Sequence, residues 1–156
     1  MKEKMIKAHL AAAGIYADLS TAKRMKVGCI LVKENRVISI GYNGTPSGWD
    51  NICETEETIW KEHYLDEGST IFEMATVKYK TKPEVIHAEA NAISKLARST
   101  ESGDGASAFI THSPCIECAK LLYGAGVKNV FYKTKYRTDE GIDFLQKCNI
   151  EVKQIE

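Results

Sequence analysis

Apolar positions along the chain change period several times, and each change marks an expected element. Ile6, Leu10, Ala13 and Ala17 recur at helical spacing with charges between them, which predicts an amphipathic helix ending near Asp18 to Ser20. The stretch "VGCILVKENRVISIGYNG" holds two β-rich runs separated by the polar residues Lys33 to Asn35. It predicts a β-hairpin of residues 27–33 and 36–41. Between 43 and 82 no single period persists among glycines, prolines and acidic residues, so this segment reads as a long excursion with a short helix around 55–65. Regularity then returns. "VIHAEANAISKLARS" sets Ala88, Ala92, Ile93 and Leu96 on one flank of a helix. "ASAFITHS" reads as a buried strand, "PCIECAKLLYGAG" as a helix closed by glycine, and "NVFYKT" as a strand. A last helix, with Thr138 as its expected cap, leads to a short final strand.

Strands alternating with helices of ten or so residues predict an α/β layer with parallel pairs at its centre, entered through the antiparallel hairpin. A chain of 156 residues, 44% of them hydrophobic, suits one domain over residues 1–156 with a long insertion at about 43–82. Lys plus Arg and Asp plus Glu both total 21, so no basic excess exists to neutralise a run of phosphates, and a nucleic-acid partner is disfavoured. No apolar stretch approaches the length of a bilayer span and the N-terminal segment has no signal-peptide pattern, which predicts a cytoplasmic protein without membrane attachment. Five cysteines in such a setting are expected as thiols.

The chemistry concentrates in "HSPCIECAKL", where Cys115 and Cys118 follow a proline. A disulfide, a redox dithiol and half a metal site compete for this CxxC. A redox dithiol is expected just after a first strand, whereas this pair arrives late in the chain. Upstream, "VIHAEANA" places His87 and Glu89 at the start of a helix. Zinc accepts imidazole and thiolate together, and three protein ligands leave a fourth position open for water. His87, Cys115 and Cys118 supply that number, and the free amides of a helix start favour thiolate over thiol. Glu89 is the candidate catalytic group, because a carboxylate beside activated water can take its proton and return it to a substrate nitrogen.

His-x-Glu followed by Pro-Cys-x-x-Cys is the signature of zinc nucleobase deaminases. Together with "RMKVGCILVKENRVISIGYNGTPSG", "HAEANAI", "SPCIECAK" and "KYRTDEG", it makes this sequence resemble the deoxycytidylate deaminases, phage-type members in particular, in order and over most of the chain. The resemblance implies a three-layer α/β/α cytidine-deaminase-like fold with a five-stranded mixed sheet. It implies hydrolysis of dCMP to dUMP and ammonia, which supplies dUMP for thymidylate synthesis, with Zn2+ held by His87, Cys115 and Cys118 and protons carried by Glu89. On the same basis Asn43 matches the position that contacts the sugar, and Ala88 offers its backbone N–H to the pyrimidine. Tyr136 and Arg137 match a pair associated with the 5′-phosphate, with Arg24 as a helper. A homo-oligomer, commonly a hexamer, is implied as well, with dCTP as activator, bound together with Mg2+, and dTTP as inhibitor.

A phosphate dianion leaving water must be met by fixed donors, and an arginine fork does this well, so Arg137 is a reasonable selector without the resemblance too. Two alternatives stay open. One is a deaminase of the same superfamily acting on cytosine, cytidine, guanine or tRNA adenosine; the other is a non-catalytic zinc-binding module in which Glu89 would have no task. Of the remaining residues, Cys29 and Cys148 are expected to pack as small hydrophobes, His112 to be packed or hydrogen-bonded, and His9 to lie at the surface or an interface. Cys53 and His63 raise the question of a second zinc without completing a ligand set. The run "ETEETIWKEHYLDEG" is expected as a solvated face.

Overall fold

The structure, a computed structural model, describes the backbone of residues 1–63 and 72–156 and the side chains of residues 1–59 and 76–156. Helix α1 (Glu3–Ala17) leads into strands β1 (Gly28–Lys33) and β2 (Arg36–Tyr42). The second half runs α2 (Ala88–Leu96), β5 (Ser107–His112), α3 (Ile116–Gly124), β6 (Asn129–Thr134), α4 (Glu140–Lys147) and β7 (Glu151–Gln154). The turn between β1 and β2 is made by Glu34 and Asn35, both at positive φ (52° and 59°). That is the backbone a two-residue hairpin needs to match strand twist.

Five strands form one mixed sheet in the order β2-β1-β5-β6-β7, in agreement with the expected fold class. β1 is antiparallel to both β2 and β5, whereas β6 is parallel to β5 and to β7. Alternation along the central strands divides the core between two faces. Cys29, Leu31, Ala108, Ile110 and Val130 pack with Ala88, Ala92, Leu122 and Leu145 from α2, α3 and α4. Ile30, Val32, Phe109 and Phe131 face Leu10 and Ala13 of α1 on the other side. The result is three layers: one helix, the sheet, and three helices. Cys29 is fully buried and Cys148 packs against the larger core, as expected of small hydrophobes.

Strand directions place the loops that matter on one edge of the sheet. The C-terminal ends of β5 and β6 deliver residues 113–115 and 136–137 there. Because β1 runs against β5, its entry at residues 24–27 shares that edge, as does Asn43 at the exit of β2. Two glycines let helices approach closely enough to complete it. A Cβ on Gly41 would sit 2.1 Å from the carbonyl oxygen of Ala88, and one on Gly141 would sit 2.1 Å from that of Pro114. Gly41 therefore seats the start of α2 on β2, and Gly141 seats α4 against the start of α3.

Several expectations are corrected. The helix around 55–65 is not formed: β3 (Glu54–His63) pairs antiparallel with β4 (Phe72–Thr81) as a separate two-stranded ribbon, while residues 64 and 65 lie outside the described residues. Cross-strand pairs such as Glu57 opposite Lys78, an acid facing a base, and Thr55 opposite Lys80 join residues far apart in sequence. The acidic run is not wholly a solvated face either, since Glu54 is buried. The excursion itself is closed at its root by reciprocal backbone bonds between Gly44 and Ile86. Thr138 does not cap α4, whose N-cap position falls on Asp139. His9 is not at the surface: it is buried, with its ring 4.9 Å from that of Phe109 and its Nε2 without a partner. The aromatic neighbour that draws it in, Phe109, lies far along the chain and is invisible to helical spacing. Among the described residues no helix is long and apolar enough to cross a membrane.

Two outcomes follow from this packing. Gly41→Ala forces backbone against backbone and should cost about 1–3 kcal/mol, read as a melting temperature lowered by several degrees. Burial holds the His9 imidazole below its ordinary pKa. The neutral form is then favoured by folding, so this contribution is complete above about pH 6.5 and is lost as pH falls toward the depressed folded value. His9→Leu should flatten the corresponding part of a stability-versus-pH curve from denaturant titrations; an unchanged slope would contradict the assignment.

Candidate active site

The chain leaves β5 at His112, turns through Ser113 and Pro114, and enters α3 with Cys115 at its N-cap; His87 holds the same position before α2. Two helix starts thus meet at one edge of the sheet. The His87 Nδ1 atom lies 3.6 Å from Cys115 Sγ and 3.4 Å from Cys118 Sγ. All three ligand atoms fall within 4.8 Å of one another, and they form the one such group among the described residues. Zinc bonds of about 2.3 Å to sulfur and about 2.05 Å to nitrogen, set at tetrahedral angles, require a sulfur–nitrogen edge of about 3.6 Å. The observed edges fit, so this triad can bind zinc with a fourth position facing outward. The ligands grade from exposed His87 through half-buried Cys115 to buried Cys118, which opens the site on one side only.

The protons on this triad are already unequally held. The Cys115 thiol is lowered to about 3, first because Cys118 donates a hydrogen bond to its thiolate and then because His87 does. Cys118, as the donor, is pushed up, and His87 is raised by its bond to Cys115. Those shared protons are the ones a bound dication displaces.

Glu89, in the first turn of α2, is 4% exposed. Burial pushes its carboxyl up to about 7, so it can bind and release a proton near neutrality. Ala88 is fully buried, and as the first residue of α2 its N–H has no acceptor within the helix.

These groups lie in a cleft of about 610 Å³ counted to its open mouth. His87, Glu89 and Cys115 line it together with Asn43, Tyr136, Arg137 and Arg24, while Cys118 stands behind His87 and Ala88 does not reach the wall. Asn43 also braces the fold: its Oδ1 accepts from Val27 N–H at 2.8 Å and its Nδ2 donates to the Met25 carbonyl at 2.9 Å. One amide hydrogen and one lone pair remain for a ligand. Arg24 and Arg137 are the only lysine or arginine side chains on the wall among the described residues, and the Arg137 guanidinium sits 6.0 Å from the Tyr136 ring centroid.

Besides the apolar Met25, Val27 and Val85, sequence reasoning missed four polar wall residues. Glu54 and Thr81 come from the roots of β3 and β4, and His112 and Ser113 from the end of β5. Ser113 accepts the Tyr136 N–H at 2.7 Å and so fixes the loop carrying Arg137; its place beside the Pro-Cys pair was the available signal. His112 is hydrogen-bonded to Thr111 at 3.1 Å, as expected, but it also faces the cleft. Cys53 is buried with Ala22 and Val85, its sulfur 3.5 Å from Thr21 Oγ1, and no second metal group forms around it among the described residues; the His63 side chain lies outside them.

A three-layer sandwich that offers an imidazole, two sulfurs and a buried carboxyl to one cleft has the layout of a zinc hydrolase. Residues 2–134 match the model of the cytidine and deoxycytidylate deaminase zinc-binding region, and the chain belongs to that family. The deoxycytidylate deaminase of Enterobacteria phage T4 is 35% identical over 92% of this chain and 86% of its own length. ComE operon protein 2 of Bacillus subtilis is 31% identical over 94% of this chain and 69% of its own. The dCMP deaminase of cyanophage S-TIM5, solved in complex with dCMP and dUMP, superposes with a TM-score of 0.80 at 41% identity, covering 99% of both chains.

Removing one sulfur should empty the triad. Cys118→Ala is expected to lower bound zinc from about one per chain to a small fraction by atomic absorption, while Cys29→Ala and Cys148→Ala leave the zinc content unchanged.

Proposed function

We propose that this chain catalyses the zinc-dependent hydrolysis of dCMP to dUMP and ammonia, and so supplies dUMP for thymidylate synthesis. The observation that carries the reading is one cleft with a zinc-fitting triad and a buried carboxyl at its floor and two arginines on its wall. The named activities of the phage T4 and cyanophage relatives support it.

His87, Cys115 and Cys118 hold the zinc. When bound, the metal lowers the pKa of a water from about 15.7 toward about 7. Glu89 takes a proton from the attacking water and passes it to the ring nitrogen beside the carbon that bears the amine. It then takes the remaining proton from the newly added hydroxyl and delivers it to that amine, so that the carbonyl forms as the carbon–nitrogen bond breaks. A new carbon–oxygen bond replaces the one lost, and ammonia leaves. A carboxyl that titrates near neutrality suits both directions of transfer. Asn43 orients the sugar; Tyr136, Arg137 and Arg24 receive the 5′-phosphate, whose two negative charges favour guanidinium forks.

Residues 1–156 act as one deaminase domain in this reading. A homo-oligomer, with a hexamer favoured, is supported by exposed apolar side chains such as Leu121 and Tyr123. Activation by dCTP, bound with Mg2+, and inhibition by dTTP belong to the same proposal, as does a cytoplasmic location.

Glu89→Gln tests the chemistry. It should retain zinc and fold while turnover of dCMP, followed by absorbance loss, falls by at least about 100-fold. A variant that keeps most of its activity would remove Glu89 from the mechanism. Comparable rates on dCMP, deoxycytidine and cytosine would remove the phosphate from the specificity.

A further inference from the structure

The segment Ser20 to Arg24 has no regular structure, yet it is anchored at each residue. Ser20 Oγ donates to the Asn43 carbonyl at 2.8 Å and accepts the Ala22 N–H at 3.2 Å. The Thr21 hydroxyl meets the Cys53 sulfur, and Ala22 packs on Cys53 and Val85. Lys23 reaches Glu56 at 2.9 Å and lies 5.1 Å from the Tyr79 ring centroid. Most of these partners belong to the root of the β3–β4 ribbon, which is otherwise separate from the main sheet.

Two contacts bear directly on Arg24. The Glu54 carboxylate, only 6% exposed, accepts the Arg24 N–H at 3.1 Å and the Lys23 N–H at 3.1 and 3.2 Å. Two backbone amides thus hold this carboxylate, and those bonds fix the direction in which Arg24 leaves the backbone. Thr81, the residue paired with Glu54 across the ribbon, accepts from Arg24 Nη1 at 3.0 Å. One cross-strand pair therefore grips both ends of one arginine, at its amide and at its guanidinium. Arg24 itself remains exposed at the cleft mouth. A long, solvated side chain held at two points gives up much less freedom when it meets an anion.

We infer that Glu54 and Thr81 are positioning residues that hold Arg24 for the 5′-phosphate, which makes the ribbon root part of the enzyme's selectivity for a nucleotide over a nucleoside. This rests on the proposed reading of Arg24 as a phosphate contact. Neither residue takes part in the chemistry; both act through the arginine. The acidic side chain at the phosphate end serves to orient a cation rather than to bind a metal.

The test uses the zinc-loaded full-length protein with wild type, Thr81→Val, Thr81→Ser, Glu54→Gln, Arg24→Ala and the Arg24→Ala/Thr81→Val double variant. Steady-state constants for dCMP are measured beside binding of dUMP and of deoxyuridine, which lacks the phosphate. Thr81→Val, nearly isosteric, should raise KM for dCMP about 3- to 10-fold with kcat within about twofold, and weaken dUMP by a similar factor with deoxyuridine unchanged. Thr81→Ser should restore the wild-type values, and Thr81→Val should add little once Arg24 is absent. Glu54→Gln should shift the same constants in the same direction; should it fail to fold, the threonine variants decide alone. Equal loss for dUMP and deoxyuridine, a fall in kcat, or full additivity in the double variant would overturn the proposal. If Arg24→Ala leaves KM unchanged, the arginine is not a phosphate contact, and the proposal falls for that separate reason.

Discussion

Everything in the site depends on three atoms being brought to a common point: one imidazole nitrogen and two sulfurs, with edges of 3.4 and 3.6 Å. No short segment supplies all three. Two helix starts must be packed side by side, and each is held by a contact that tolerates no side chain. Gly41 admits α2 to the face of β2, and Gly141 admits α4 to the turn before α3. Sheet order adds the rest, because the exits of β2, β5 and β6 and the entry of β1 fall on one edge. Ligands in open α/β sheets are expected at the carboxyl ends of the parallel strands, and the cleft lies there.

Burial sets the character of the groups once they are assembled. Glu89 sits under the cleft floor, where a charged carboxylate is costly, and its affinity for a proton rises accordingly. Arg24 and Arg137 stay at the exposed mouth, where a charged ligand can reach them. The cleft is thus graded, with a buried carboxyl at the closed end and exposed cations at the open one. That gradient suits a substrate with a reactive base and a charged tail, and it gives the long excursion after β2 a role, since its root supplies Glu54 and Thr81 to the wall.

Much of this was legible in the sequence. The main-sheet strands and the four described helices follow from the period of the apolar positions, and the ligand triad and Glu89 were nominated from their order and spacing together with the resemblance they carry. What was hidden shares one cause, namely dependence on a partner distant in the chain. Residues 54–63 look like a polar helix until Lys80 and Lys78 are set opposite Thr55 and Glu57, respectively. His9 reads as a surface histidine until Phe109 is placed against it. Glu54 passes for one more solvated acid until the amides of Lys23 and Arg24 are turned toward it. Asn43 could be nominated from its neighbours, but its bracing of residues 25–27 appears only when β1 and β2 are paired.

The most direct test of the central claim is X-ray absorption at the zinc edge on the purified, metal-loaded protein. Two sulfurs at about 2.3 Å and one imidazole nitrogen at about 2.05 Å, with a single further light atom, are the shell that this geometry predicts. A shell of four sulfurs, or one of oxygens and nitrogens alone, would mean that the metal is held elsewhere and would contradict the account at its root.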